Sequence, residues 1–286
     1  MKAYLELVRP ANVMTAVADV LAGYAVAGLA NGRALPWLVL STACLYGGGV
    51  VLNDVFDRRI DAVERPERPI PSGRVSTRGA ALFGAVLLAG GIGAATRATA
   101  AAGWLAGGIA GLVVAYDAWG KRQRYAGPVN MALCRALNLA LGMAAVPATL
   151  VVGWPLAAIS FLYIAAVTAV SRGEVHGGSR GTAGGALISL IVVLFVLLTL
   201  GLRAGANALP AIVIALAFGW RVLPAFWKAY RTPSAGAIRS AVRTGVLSLV
   251  LVDAVIAAAF AGAIYAAIVL ATAVAAGLLA RLFAVT

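Results

Sequence analysis

Five of the chain's ten acidic residues fall between positions 54 and 67. Four of them lie in Asn53-Asp54-Val55-Phe56-Asp57-Arg58-Arg59-Ile60-Asp61 and in the Arg65-Pro66-Glu67-Arg68-Pro69-Ile70-Pro71-Ser72-Gly73 that follows, and Glu64 lies between the two. The cluster closes a long apolar run that reads as a membrane span. Charge at such a place is costly and calls for a partner or a function. On a helix, Asn53, Asp57 and Asp61 recur at i, i+4, i+8 and share a face, with Asp54 two turns before Asp61. A few carboxylates, with room left for water and phosphate oxygens, are what Mg²⁺ prefers. The plainer role is a helix end neutralising Arg58 and Arg59. Arg65 and Arg68 either fork onto phosphate oxygens or anchor the loop at the membrane face.

Two more segments follow apolar runs. In Tyr116-Asp117-Ala118-Trp119-Gly120-Lys121-Arg122, Lys121 is a phosphate ligand or an interfacial anchor. Tyr116 could bond a phosphate oxygen, shield a carbocation with its ring, or sit in the interfacial belt. Asp117, four residues before Lys121, has a helix ion pair as its simplest role. The segment Ser171–Arg180 carries Glu174 and the chain's single histidine, His176, flanked by Arg172 and Arg180. His176 is a proton acceptor or a polar loop residue.

Inside the apolar runs, Asn12, Thr15 and Asp19 share one helical face, and Arg135 and Asn138 share another. Arg221 and Asp253 are further intramembrane charges. Buried charges in lipid pair or face a cavity. Asp19 or Asp253 is therefore expected to pair with Arg135 or Arg221, or else Asn12 and Arg135 line a substrate chamber.

The elements that must position these residues are membrane helices. Of 286 residues, 62% are hydrophobic and 12% charged, against about 25% charged in soluble domains. The pattern predicts one all-α polytopic domain over 1–286. Spans are expected near 11–30, 37–57, 79–97, 99–119, 127–149, 154–172, 184–203, 207–227, 241–261 and 263–283. Each approaches the ~20 residues a crossing requires. The first run leads into further structure and reads as a span, not a signal peptide.

With the N-terminus inside, the tail and the loops 58–78, 120–126, 172–183 and 228–240 hold most of the basic residues, while Arg33, Arg97 and Arg203 lie opposite. That asymmetry places the acidic and basic motifs on the cytoplasmic face, with a bacterial inner membrane as the expected location. The net charge of +13 sits in short loops and points to lipid headgroups and a diphosphate, not nucleic acid. Cys44 and Cys134 are read as buried small residues. No Walker loop or dinucleotide fingerprint is present. Gly47-Gly48-Gly49 and Gly90-Gly91 suit close helix packing.

Asn-Asp-x-x-Asp-x-x-x-Asp followed by Arg-Pro-x-Arg-Pro-x-Pro-Ser-Gly resembles the first aspartate-rich motif of the UbiA family of intramembrane prenyltransferases. Arg9-Pro10 with Asn12-Val13-Met14-Thr15-Ala16, and Leu251-Val252-Asp253, resemble its EboC-like branch. The resemblance implies nine to ten helices in a bundle around a central polar chamber. It implies Mg²⁺ held by Asn53, Asp54, Asp57, Asp61 and Glu174, with Asp57, Asp61 and Glu174 in catalysis. Asn12, Asn53, Arg65, Arg68, Tyr116, Lys121, Arg135, Arg172 and Arg180 would contact substrate. The family's second motif, Asp-x-x-x-Asp, is altered: Glu174 matches its first acid and Gly178 replaces the second. One Mg²⁺ assisted by Arg172 and Arg180 is the expected compensation. The implied reaction moves an isoprenyl group from an isoprenyl diphosphate to a small, aromatic or otherwise electron-rich acceptor of secondary metabolism. The alternative is a non-catalytic transporter or lipid-binding protein on the same scaffold.

Overall fold

A computed structural model describes residues 2–123 and 125–282. Residue 124 of the 120–126 loop, and the last residue of the expected span 263–283, lie outside them. The described residues form helices and no strand: α1 Lys2–Val8, α2 Pro10–Val26, α3 Leu35–Glu64, α4 Thr77–Ala98, α5 Ala100–Ala118, α6 Ala126–Met143, α7 Thr149–Ser171, α8 Arg180–Leu202, α9 Ala208–Arg231 and α10 Ala235–Leu282. Seven of the described helices are long and apolar enough to cross a membrane: α3, α4, α5, α7, α8, α9 with its preceding turn, and α10.

Helix starts follow from local chemistry. Ser76, Thr99 and Ser179 each accept a hydrogen bond from a backbone N–H of the first turn of α4, α5 and α8. Pro10 opens α2, where its missing N–H costs nothing. Arg9, just before it, adopts φ 51°, a left-handed conformation uncommon for a side chain of this size. That turn takes the chain from α1 into the bundle and delivers the Arg9 guanidinium to α3.

Two expected breaks differ in the structure. The Gly153-Trp154-Pro155 break lies inside α7, which begins at Thr149. Membrane bundles tolerate such a proline because neighbours re-satisfy the freed carbonyl. The first acidic motif, expected at a helix end, is helical as far as Glu64. Arg65-Pro66 stops it there, because proline disfavours helix at the residue before it.

α10 spans 48 residues and is interrupted at Gly262, with φ 82°. Straight, it would run about 72 Å, more than twice the ~30 Å hydrocarbon layer. Glycine accepts the positive φ, and residues on both sides of Gly262 lie against α2. Asp253 neighbours Asp19, and the Tyr265 hydroxyl donates to the Leu21 carbonyl at 3.1 Å.

α2 and α6 cross in backbone contact. A Cβ on Gly23 would collide with the Leu139 carbonyl, and one on Gly142 with that of Val20. This approach is what small residues permit in lipid. It sets Arg135 and Asn138 against Asp19.

Candidate functional site

The acidic stripe on α3 divides between two partners. Each step of four residues drifts about 40° round a helix, so Asn53 and Asp61 diverge. Asn53 and Asp57 face α5. The Asn53 amide donates to Asp117 Oδ1 at 2.7 Å, and Lys121 Nζ lies 2.7 Å from Asp57 Oδ1 and 3.7 Å from Asp117 Oδ1. Asp54 and Asp61 turn the other way, onto the proline-rich loop. Arg68 Nη1 sits 2.8 Å from Asp61 Oδ2 and 3.3 Å from Asp54 Oδ1, and Arg9 Nη2 approaches Asp54 Oδ1 at 2.7 Å.

Arg68 is therefore buried as a clamp between α3 and its loop. Its expected place was on a phosphate; here its guanidinium holds the two acids. Arg65 is exposed and lines neither cavity described below.

A chamber of about 310 Å³ opens beside Asn53. Its walls include Arg9, Asn12, Asn53, Tyr116, Asp117 and Arg135, among apolar side chains of α3, α5 and α6. A second cavity of about 320 Å³ is lined by Tyr116, Lys121 and Arg172 with Thr168 and Ser171. Tyr116 belongs to both walls. One side presents a largely apolar pocket, and the other presents an ammonium and a guanidinium suited to phosphate oxygens. Arg172 Nη1 also donates to the Gln123 carbonyl at 2.8 Å, which ties the turn after α7 to the end of α5.

The altered second motif lies against α10. A Cβ on Gly178 would lie 2.6 Å from the terminal Cδ1 of Ile238 on α10, so a side chain there needs that methyl to shift. Glu174 lies in the turn before it and lines neither the chamber nor the mouth. Burial raises its carboxyl pKa, while Arg239 pulls it down. Arg180 and His176 are exposed. Arg172 reaches the mouth; Arg180 does not line it. The five expected metal ligands are thus not gathered in one place. Among the described residues, no group of three or more His, Cys, Asp or Glu side chains is arranged around a metal position.

The chamber's deep wall is a closed polar network. Arg135 Nη1 bonds Asp19 Oδ2 at 2.8 Å and Nη2 donates to the Thr15 hydroxyl at 2.7 Å, with the guanidinium 5.5 Å from the Tyr46 ring centroid. Asn138 donates to Asp19 Oδ2 at 2.8 Å and accepts from Thr42 at 2.7 Å. Of the pairings expected, Asp19–Arg135 forms; Arg221 Nε instead donates to Ser248 at 3.2 Å.

Sequence reasoning missed Arg9 and Asp117 as site residues. The signal for Arg9 was its place before Pro10, which forces a turn. Asp117 was hidden by its simpler pairing with Lys121.

The model of the UbiA prenyltransferase family matches residues 13–242. The chain belongs to the UbiA prenyltransferase family. The digeranylgeranylglyceryl phosphate synthase of Halobacterium salinarum is 33% identical over 251 residues, covering 81% of this chain and 89% of that protein. The enzyme of the same name from Methanopyrus kandleri is 48% identical over 98 residues, 34% of this chain and only 35% of its own length. These relatives replace the narrower EboC-like resemblance. A solved structure concerned with digeranylgeranylglyceryl phosphate synthase superposes with TM-score 0.69 at 20% identity, over 91% of this chain and 98% of that one. A UbiA homologue from Archaeoglobus fulgidus, bound to DMAPP and Mg²⁺, gives 0.63 at 17% identity over 90% and 99%. Both share the all-α membrane fold of this UbiA-family chain.

Proposed function

We propose that this protein is an intramembrane prenyltransferase that moves an isoprenyl group from an isoprenyl diphosphate to a hydroxyl of a glycerophosphate-type lipid. The observation that carries the reading is the shared Tyr116 wall, with an apolar chamber on one side and Lys121 and Arg172 on the other. An isoprenyl diphosphate has the same two-part chemistry. The product named for the relatives, a glyceryl phosphate with two geranylgeranyl groups, supports this acceptor class over the aromatic one.

Lys121 and Arg172 hold the diphosphate, and the chamber takes the chain and excludes water. The allylic C–O bond breaks and its electrons leave with the diphosphate. The Tyr116 ring faces the resulting cation. The acceptor oxygen forms the new C–O bond, and its proton leaves with the diphosphate. Oxygen donors from Asn53 and Asp57, with Lys121's ammonium marking a cation position between acids, fit Mg²⁺. When bound, the ion offsets charge building on the leaving group. The mouth faces the cytoplasm in this reading, consistent with the basic loops.

Protein in proteoliposomes, given Mg²⁺, allylic diphosphates of graded length and a prenylglyceryl phosphate, should release diphosphate and form a prenylated product. Both should fall with Asp57→Asn. Tight binding with no turnover on any acceptor would favour the transporter reading instead. The structure offers that reading little: Asp19 and Arg135 close on each other, and Asp19 and Asp253 are fully buried.

A further inference from the structure

Asp117 ends α5, a helix otherwise free of charged residues, and its carboxylate is 2% exposed. A helix ion pair with Lys121 would account for it only if Lys121 served Asp117 first. The ammonium is closer to Asp57, at 2.7 Å against 3.7 Å. Asp117 Oδ1 meanwhile takes the Asn53 amide at 2.7 Å. Two carboxylates from two helices thus converge on one ammonium whose side chain is 14% exposed, and Asn53 bonds one of them. A lysine at a membrane face ordinarily extends its head to water. This one is drawn in between two carboxylates, where a small hard cation would sit.

Other oxygen donors are committed elsewhere. Asp54 and Asp61 are clamped by Arg68. Position 178 is glycine and offers no oxygen donor from a side chain, and Glu174 lines neither cavity. Asn53 and Asp117 line the chamber together, and Lys121 connects them to Asp57. One or two carboxylates, an amide oxygen, water and phosphate oxygens make an ordinary Mg²⁺ environment. The Asn53 amide can present its oxygen by turning over, because its orientation follows the network around it.

We propose that Asp117 ligates the divalent cation together with Asn53 and Asp57, supplying from α5 the acid that the second motif lacks. Lys121 holds the position in the cation-free protein and moves to the diphosphate when the cation enters. Two carboxylates with one ammonium carry a net negative charge; with a divalent ion they are neutral. The inference rests on the reading of a cation-dependent diphosphate site given above.

The test is Mn²⁺ binding to the full-length protein in detergent, with inorganic diphosphate present, read as loss of the free-ion electron paramagnetic resonance signal. Asp117→Asn, isosteric with the wild type, should weaken Mn²⁺ binding by about tenfold or more. Asp117→Ser, which also removes the bond to Asn53, should do the same. Lys121→Met should tighten binding in the absence of diphosphate, since no ammonium then competes. Size-exclusion profiles and melting curves identify any variant that fails to fold. Wild-type affinity in both Asp117 variants, with binding lost in Asp57→Asn, overturns the role of Asp117 and leaves the prenyltransferase reading intact. Absence of Mn²⁺ binding in the wild type also overturns the role, and the turnover assay then judges the wider reading separately. Weakened binding in Lys121→Met would overturn the displacement.

Discussion

Arg135 and Asp19 lie 2.8 Å apart across the α2–α6 crossing, with the Asp19 carboxylate fully buried. The pair is the floor of the chamber. Gly23 and Gly142 make it possible, because no larger residue would let the two backbones approach. Arg135 and Asn138 both bond Asp19. Asp253, also fully buried, neighbours Asp19 but neither of its oxygens has a hydrogen-bond partner among the described residues.

Asp253→Asn should therefore melt within a few degrees of the wild type. Arg135→Leu should cost about 3–5 kcal/mol, as expected when one partner of a buried pair is removed. Thermal unfolding in detergent checks both. Equal losses in the two variants would mean that Asp253 makes a stabilising contact of its own.

Restoring the second acidic motif should fail. Gly178→Asp makes the terminal methyl of Ile238 shift and should destabilise by about 1 kcal/mol or less. Activity should not rise. Gly178→Asp combined with Ile238→Ala should recover part of the stability. Melting temperatures and turnover of the single and double variants decide the matter.

Glu174 and Asp57 should differ in weight. Neither acid lines a cavity, but Asp57 pairs with Lys121, which lines the mouth, whereas Glu174 has no such link among the described contacts. Asp57→Asn should lower diphosphate release by about a hundredfold or more, the scale of losing a charge-stabilising group. Glu174→Gln should lower it by less than about tenfold. Equal losses would return Glu174 to the reaction.

Glu174 should instead show in the pH dependence of stability. Burial raises its pKa above the usual 4.5 in the folded chain, so the folded state holds the proton more tightly than the unfolded state. Stability from this group is complete below the ordinary value and declines as pH rises through the raised one. Glu174→Gln should remove that decline. Melting temperatures from about pH 4 to 7 measure it.

The membrane class and the all-α fold were legible in the sequence. Hydropathy and helical period are local properties, and a motif states its residue types without a partner. Which side of α3 each acid faces was not legible. Asp61 shares a nominal face with Asn53 and Asp57, yet it goes to Arg68 while they go to α5. That choice depends on the helical drift and on where loop 65–73 and α5 pack. Gly178 read as a lost carboxylate, and only the structure shows that Ile238 of α10 lies against it. The sequence by itself determined what must leave water and where charge would be costly. The tertiary structure decided which charges meet, because pairing in a bundle depends on crossing angles and close backbone approach between residues more than a hundred positions apart, as with Asp19 and Arg135.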